Sequence, residues 1–129
     1  ADVGDRLDGD VLGDSPLEAY DRSAELAARV FEAPGALVAP CAVSYGPVPG
    51  SVYAGHRFID VLIHGWDIAA ATGQPAVLDP ELVEACQEVL APQLEGFQAS
   101  GMFGVPVAGS GAADPQHVLL TSLGRHPAD

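Results

Sequence analysis

The chain has 129 residues, of which 48% are hydrophobic and 18% are charged, and its formal net charge is −13. It contains five arginines and no lysine, so it lacks the basic face with which proteins bind nucleic acids or anionic membranes. This length and composition are typical of one globular domain. The two cysteines, Cys41 and Cys86, are isolated in the sequence, which favours reduced thiols and a cytoplasmic location.

Residues 1–14 differ from the rest of the chain. They are acidic and rich in glycine, and they lack helical periodicity, which predicts a loop or linker. Residues 15–129 predict a single helical domain. Because the sequence does not start with methionine, we expect the chain to begin within a longer protein.

The first predicted helix begins with a capping sequence. Ser15 is the expected N-cap, Pro16 takes the first helical position, and Glu18 completes a capping box. Apolar residues then recur at helical spacing: Leu17, Tyr20, Ala24, Ala27 and Phe31. Residues 36–50 contain valine and tyrosine followed by several prolines and glycines, which predicts a short irregular or hairpin connection.

Three further helical segments follow. Residues 51–73 are apolar almost all round, which predicts a long central helix ending at Gly73. Asp79 should cap the next helix, and Pro92 should kink or split it. The predicted apolar stripe of that helix is Leu82, Cys86, Val89, Leu90, Leu94 and Phe97. Residues 101–113 predict a loop, and a last short helix opens at Asp114-Pro115. The strand content is small, so the predicted fold class is all-α.

The central helix carries titratable residues inside an apolar run. A helix turns by about 100° per residue, so His56, Asp60, His64 and Asp67 are expected on one stripe. Asp60 and His64 have the i, i+4 spacing that lets two side chains bind one ion. A carboxylate and an imidazole together suit zinc, nickel, iron or manganese.

Other interpretations of these residues remain open. Asp60 and His64 can form a charge-assisted hydrogen bond on the helix without any metal. His56 lies beside Arg57 near the helix start, which favours a surface or hinge position over a ligand. Asp67 can accept a hydrogen bond from the ring of a metal-bound histidine, or it can cap a neighbouring helix.

Three stretches, YGPVPGSVYAGHRFIDVLIHGWDIAAATGQ, LDPELVEACQEVLAPQLEGF and FGVPVAGSGAADPQHVLLTSLGRHP, form a recognisable pattern. They resemble the actinobacterial relatives of mycothiol-dependent maleylpyruvate isomerase, in the DinB-like superfamily of four-helix-bundle metalloenzymes. The block IHGWDIAAATGQ is the most specific part, and the sequence Leu123-Gly124-Arg125 agrees with it. The resemblance covers nearly all of residues 12–127 and implies a partial DinB-like helical bundle.

The resemblance also implies a divalent metal, zinc or nickel, that three groups hold. Asp60 and His64 match two of them, although the family often has glutamate at the position of Asp60. The third is a histidine on an earlier helix, and this chain has no matching segment, as if the first two bundle helices were missing. The chain is then expected either to bind no metal or to borrow a ligand from a partner chain.

As an activity, the resemblance implies mycothiol-dependent isomerisation or thiol transfer on a small-molecule substrate, with the metal lowering the pKa of the thiol. Two alternatives remain: a metal-binding bundle without catalysis, and a structural or dimerisation domain. Missing helices would uncover an apolar face of the central helix, which predicts a homodimer. We expect Asp60 and His64 to face a cavity or an interface, and Trp66 to pack into the core.

Overall fold

A computed structural model describes residues 9–44, 46–101, 104–107 and 114–127. The elements, in chain order, are α1 (Pro16–Glu32), β1 (Pro40–Val43), β2 (Gly46–Pro49), α2 (Gly50–Thr72), α3 (Pro80–Leu90), α4 (Leu94–Ser100) and α5 (Pro115–Ser122). The described part is therefore mostly helical with one small sheet, as predicted at that level. None of its helices is long and apolar enough to cross a bilayer.

Two predicted loops are only partly described. Residues 9–14, from the expected linker 1–14, contain neither helix nor strand, and residues 1–8 lie outside the described residues. In the expected loop 101–113, residues 101 and 104–107 are likewise irregular, and the others lie outside the described part. The chain divides into two compact units between Ala54 and Gly55. This boundary lies within α2, inside the segment 15–129 that was predicted as one domain.

The first unit contains α1, the sheet and the start of α2. Pro16 does open α1, but the Ser15 side chain makes no capping hydrogen bond, so the predicted capping box is wrong. The Glu18 carboxylate lies instead 3.6 Å from the guanidinium of Arg22, one turn further along the helix. α1 has no buried residue, and Leu17 on its apolar stripe is 72% exposed.

The sheet of the first unit is a hairpin, one of the two forms predicted for this connection. β1 and β2 pair antiparallel, with Pro40 opposite Pro49 and Val43 opposite Gly46. Proline lacks the N–H that a third strand would need, so these strands are suited to remain edges. The chain then enters α2 at Gly50, which is buried. Any Cβ at this position would collide with the Ala36 carbonyl oxygen.

The second unit contains the hydrophobic core. Its buried apolar side chains come from α2, from α3 and from α5 with the residue after it: Ile59, Ile63, Val83, Cys86, Leu90, Leu119, Leu120 and Leu123. Trp66 is partly buried and packs against this cluster, as predicted. Leu82, however, is 44% exposed. The buried stripe of α3 starts at Val83, about 100° further round the helix, so Leu82 was wrongly assigned to it.

The ends of the helices follow the predicted chemistry. The Asp79 side chain accepts hydrogen bonds from two N–H groups in the first turn of α3, and Asp114 accepts one from Gln116. Pro92 lies in a 3-10 turn that separates α3 from α4, as its missing N–H predicted. The Gln116 amide also donates to the Ala76 carbonyl and accepts from the Leu78 N–H. It thereby ties α5 to the connection between α2 and α3.

Candidate functional site

His64 lies between two carboxylates on one face of α2. Its Nδ1 is 3.0 Å from Asp67 Oδ2, and its Nε2 is 3.2 Å from Asp60 Oδ1. The i, i+3 and i, i+4 spacings of a helix place such neighbours within reach. Both polar atoms of the imidazole therefore face acidic partners on the same element.

Asp67 is in turn bound by an arginine from outside α2. The Nε atom of Arg125 donates to Asp67 Oδ1 at 3.1 Å, and Nη2 donates to Oδ2 at 2.7 Å. The Nη1 atom donates to the Leu123 carbonyl at 2.9 Å, and the Arg125 side chain is only 16% exposed. The hydrogen bond from Arg125 lowers the pKa of Asp67; burial opposes this effect, and His64 adds to it.

The direction of Arg125 follows from how α5 ends. Gly124 has a φ of +78°, its N–H donates to the Thr121 carbonyl, and the Arg125 N–H donates to the Leu120 carbonyl. These two bonds define a Schellman motif, which fixes the backbone of the residue after the glycine. A Cβ at Gly124 would lie 2.6 Å from the backbone of Gly104, so only glycine fits this turn.

The other carboxylate has a more exposed arginine. Arg57 Nη1 donates to Asp60 Oδ2 at 2.6 Å, and the two side chains are 49% and 43% exposed. Both residues lie on α2 and are three positions apart. The cluster thus runs Arg57, Asp60, His64, Asp67, Arg125, with acid and base alternating.

Asp60 and His64 are both partly exposed in the described part of the chain. The His64 side chain is 57% exposed and that of Asp60 is 43% exposed. Neither side chain is fully solvated, because each contacts the other and a further charged residue. The shielding that we predicted for them would have to come from a second surface, and it remains a prediction.

His56 shares the predicted stripe of α2 but does not join this cluster. Its Nε2 lies 2.8 Å from Gln93 Oε1, and its ring meets Phe97 edge-on at 5.4 Å between centroids. A helix rises about 1.5 Å per residue. His56 therefore lies about 12 Å before His64 along the axis and meets different neighbours.

The sequence reasoning missed both arginines of the cluster. A signal was available, because the chain has five arginines against 18 acidic residues. Each arginine in such a chain is expected to have a carboxylate neighbour. A glycine after a helix signals its end, but the direction that the turn at Gly124 gives to Arg125 was not predicted. Asp67, for which two roles were left open, lies 3.0 Å from the ring of His64 and is bound by Arg125.

The chemistry of this cluster fits half of a metal site. Asp67 lies at Nδ1 of His64 and Asp60 lies beside Nε2, so an ion bound at Nε2 would have a carboxylate within reach. Within the described residues no group of three or more His, Cys, Asp or Glu side chains is arranged to hold a metal ion. Cys86 is fully buried, and burial raises the pKa of its thiol to about 11, which disfavours the thiolate that metals bind.

Sequence comparison finds relatives in mycobacteria. An uncharacterised protein of Mycobacterium tuberculosis strain CDC 1551 / Oshkosh is 42% identical over 87 residues, which cover 64% of this chain and 48% of the relative. An uncharacterised protein of strain ATCC 25618 / H37Rv matches with the same figures. The chain therefore spans about half the length of these curated relatives. No protein-family model matches it, and no solved structure does.

Proposed function

We propose that this chain contributes Asp60 and His64 to a divalent-metal site, with zinc or nickel as the metal, in a mycothiol-dependent enzyme of the maleylpyruvate isomerase type. The observation that supports the metal is the position of His64. Asp67 lies at Nδ1, and Nε2 points to a second carboxylate. A carboxylate behind a histidine is the usual arrangement around a metal-bound imidazole. The thiol chemistry rests on the sequence resemblance to DinB-like proteins.

In this proposal the residues of the chain have distinct tasks. Asp67 accepts a hydrogen bond from Nδ1–H of His64 and so orients the ring, while Asp60 supplies a carboxylate oxygen as a metal ligand. Arg57 balances the charge of Asp60 and holds one of its oxygens. A bound metal would lower the pKa of a thiol that binds to it. In this proposal the thiol is mycothiol from solution; Cys86 is poorly suited to the role, because it is buried and its pKa is raised.

A cytoplasmic location agrees with the cysteines. Both Cys41 and Cys86 are free thiols, which suits a reducing compartment. Mycothiol and a small-molecule substrate would be met in the same compartment.

We further propose that a second copy of the chain covers the face that carries His64. Val61 and Ile68 are 57% and 63% exposed, and they are seven residues apart on that face, with His64 between them. A Cβ at Gly65 would have nothing within 4 Å, so the face has room for a neighbouring element. Two copies related by a twofold axis would bring four ligands together, which is the usual number for zinc.

Metal binding can be measured by equilibrium dialysis of the metal-free chain against zinc or nickel. We expect one ion per two chains, and loss of binding in His64→Ala and in Asp60→Asn. His126→Ala is the matched control, because His126 is an exposed histidine outside the cluster, and it should bind like the wild type. Equal binding by wild type and His64→Ala would contradict the proposal.

The same preparation tests catalysis. The zinc-loaded chain is incubated with mycothiol and maleylpyruvate, and isomerisation is followed by absorbance. Turnover that needs both mycothiol and His64 would support the enzyme. Metal binding without turnover would favour the alternative, a metal-binding domain without catalysis.

Light scattering tests the second copy. We expect a dimer mass for the wild type and a monomer mass for Val61→Glu and Ile68→Glu. Val77→Glu is the control, since Val77 is 84% exposed and lies in the connection between α2 and α3. A dimer that forms without metal and survives His64→Ala would favour a dimerisation domain, the second alternative. A monomer in every case would exclude the shared site.

A further inference from the structure

Arg125 and Asp67 form an ion pair with two hydrogen bonds. This pair does not itself reach the proposed metal position, but it touches the histidine that does. The pair can determine which ring nitrogen of His64 carries the proton. Its effect on metal affinity rests on the proposed function, whereas its effect on the His64 tautomer does not.

A neutral imidazole has a single N–H and can donate to only one of its two carboxylates. If the proton is on Nδ1, it bonds Asp67 and the lone pair of Nε2 faces Asp60. If the proton is on Nε2, it bonds Asp60 and that nitrogen cannot bind a metal. The 3.0 Å and 3.2 Å distances to the two carboxylates are too similar to decide between these tautomers.

The two arginines behind the carboxylates do differ. Arg125 binds both oxygens of Asp67 with a planar fork, and its side chain is 16% exposed. Arg57 reaches one oxygen of Asp60, and its side chain is 49% exposed. Bidentate, partly buried pairs hold a carboxylate more firmly than exposed single contacts, which are worth little.

The backbone adds to this difference. The Schellman motif fixes Arg125 at the end of α5, and its Nη1 is also bonded to the Leu123 carbonyl. The plane of the Asp67 carboxylate is therefore set by an element other than α2. Oδ2, which accepts from Arg125 Nη2, is the same oxygen that lies at His64 Nδ1.

From this geometry we propose that Arg125 is a positioning residue: through Asp67 it keeps the proton of His64 on Nδ1 and leaves Nε2 as the metal-binding nitrogen. Arg125 acts through its neighbour and does not contact the metal. Arg57, on the opposite carboxylate, balances charge without setting the tautomer.

The direct test is ¹⁵N NMR of the imidazole ring in the metal-free, uniformly ¹⁵N-labelled chain. Spectra are recorded at a pH where the ring shifts have stopped changing, so that the ring is neutral, and His64→Ala assigns the signals. We expect the protonated-nitrogen shift at Nδ1 in the wild type. Arg125→Gln should move the ring toward a mixture of tautomers, and Arg125→Lys, which keeps the charge but loses the fork, should lie between the two.

Arg57→Gln is the matched control and should leave the proton on Nδ1. Circular dichroism checks the fold of each variant, and Arg125→Lys gives the answer if Arg125→Gln does not fold. A wild-type ring protonated on Nε2 would overturn the inference. So would a tautomer that stays unchanged in both Arg125 variants, or one that changes equally in Arg57→Gln.

Metal affinity provides the second measurement. Loss of a hydrogen-bonding partner behind a metal ligand typically weakens affinity by about 10–100-fold, and we expect this range for zinc with Arg125→Gln. Arg57→Gln should weaken zinc binding less. If the wild type binds no zinc, the proposed function fails, whereas the NMR result still decides whether Arg125 sets the tautomer.

Discussion

The two units of the chain differ in how they use their apolar residues. In the first unit α1 has an apolar stripe but no buried residue. In the second unit α2, α3 and α5 present their stripes to one another, and every buried hydrophobic side chain of the described residues lies there. Helical periodicity thus indicates where a helix forms. A core also requires facing stripes at close range, as in the second unit.

The largest expected contrast between the units is in matched leucine truncations. Leu120 has 0% exposure and Leu26 has 57%. We expect Leu120→Ala to lower the free energy of unfolding by about 2–5 kcal/mol, as for other buried leucines. Leu26→Ala should change it by less than about 0.5 kcal/mol, as at other surface positions. Urea unfolding followed by circular dichroism measures both, and similar losses would mean that α1 is buried in solution.

Matched glycines test the next contrast. Gly35 in the first unit and Gly124 in the second have φ values of +80° and +78°. A side chain in this conformation costs about 1–2 kcal/mol by itself, which is the loss expected for Gly35→Ala, where a Cβ meets nothing within 4 Å. At Gly124 the Cβ would also meet the Gly104 backbone at 2.6 Å.

For Gly124→Ala we therefore expect a loss of at least about 3 kcal/mol, because backbone strain and a steric clash add. Thermal unfolding of both variants is the measurement. Equal losses at the two glycines would show that the contact between Gly104 and Gly124 is not formed. The turn at Gly124 would then not be held in the conformation that directs Arg125 toward Asp67.

Several local features were predicted from the sequence, because they depend only on neighbouring residues. They are the Asp79 and Asp114 caps and the break at Pro92. For the connection between α1 and α2 the sequence left an irregular segment or a hairpin open, and the structure has the hairpin. The capping box at Ser15 did not form, and Glu18 pairs with Arg22 instead. One local pattern allowed two outcomes, and the sequence does not decide between them.

In the candidate site, contacts within one helix were predicted and contacts between distant residues were not. Spacing on one helix predicted that Asp60 and His64 would be neighbours, and they are 3.2 Å apart. It could not predict that Arg125, 58 positions after Asp67, would bind that carboxylate, because this contact depends on how α5 packs. Nor could it predict the partners of His56, because Gln93 and Phe97 come from a later part of the chain.

Alkaline pH provides a test that is specific to the second unit. Burial raises the pKa of the Cys86 thiol from 9.0 to about 11. The folded state then holds this proton more tightly than the unfolded state, so stability is constant below about pH 9 and falls as the pH rises toward 11. At about 1.36 kcal/mol per pKa unit the loss is at most about 2–3 kcal/mol.

Urea unfolding at several pH values measures this loss. Cys86→Ala should remove this part of the alkaline decline, although the variant starts from a lower stability. Cys41→Ala, which changes a half-buried thiol in the first unit, should keep it. An identical pH dependence for wild type and Cys86→Ala would mean that the thiol is not buried in solution.

The smallest expected effect comes from the ion pairs of α1. The Arg22 and Glu18 side chains are 68% and 73% exposed and lie 3.6 Å apart. An exposed i, i+4 pair is worth about 0.3–0.5 kcal/mol, so Arg22→Gln should lose no more than this. The loss should vanish at about 1 M salt, where the screening length is only about 3 Å.

Arg125→Gln should lower the free energy of unfolding by about 1–3 kcal/mol, because it leaves a partly buried carboxylate without a charged partner. Most of that loss should persist in salt. Urea unfolding at low and high salt distinguishes the two variants, and equal salt sensitivity would show that Asp67 and Arg125 are as exposed as the pairs of α1.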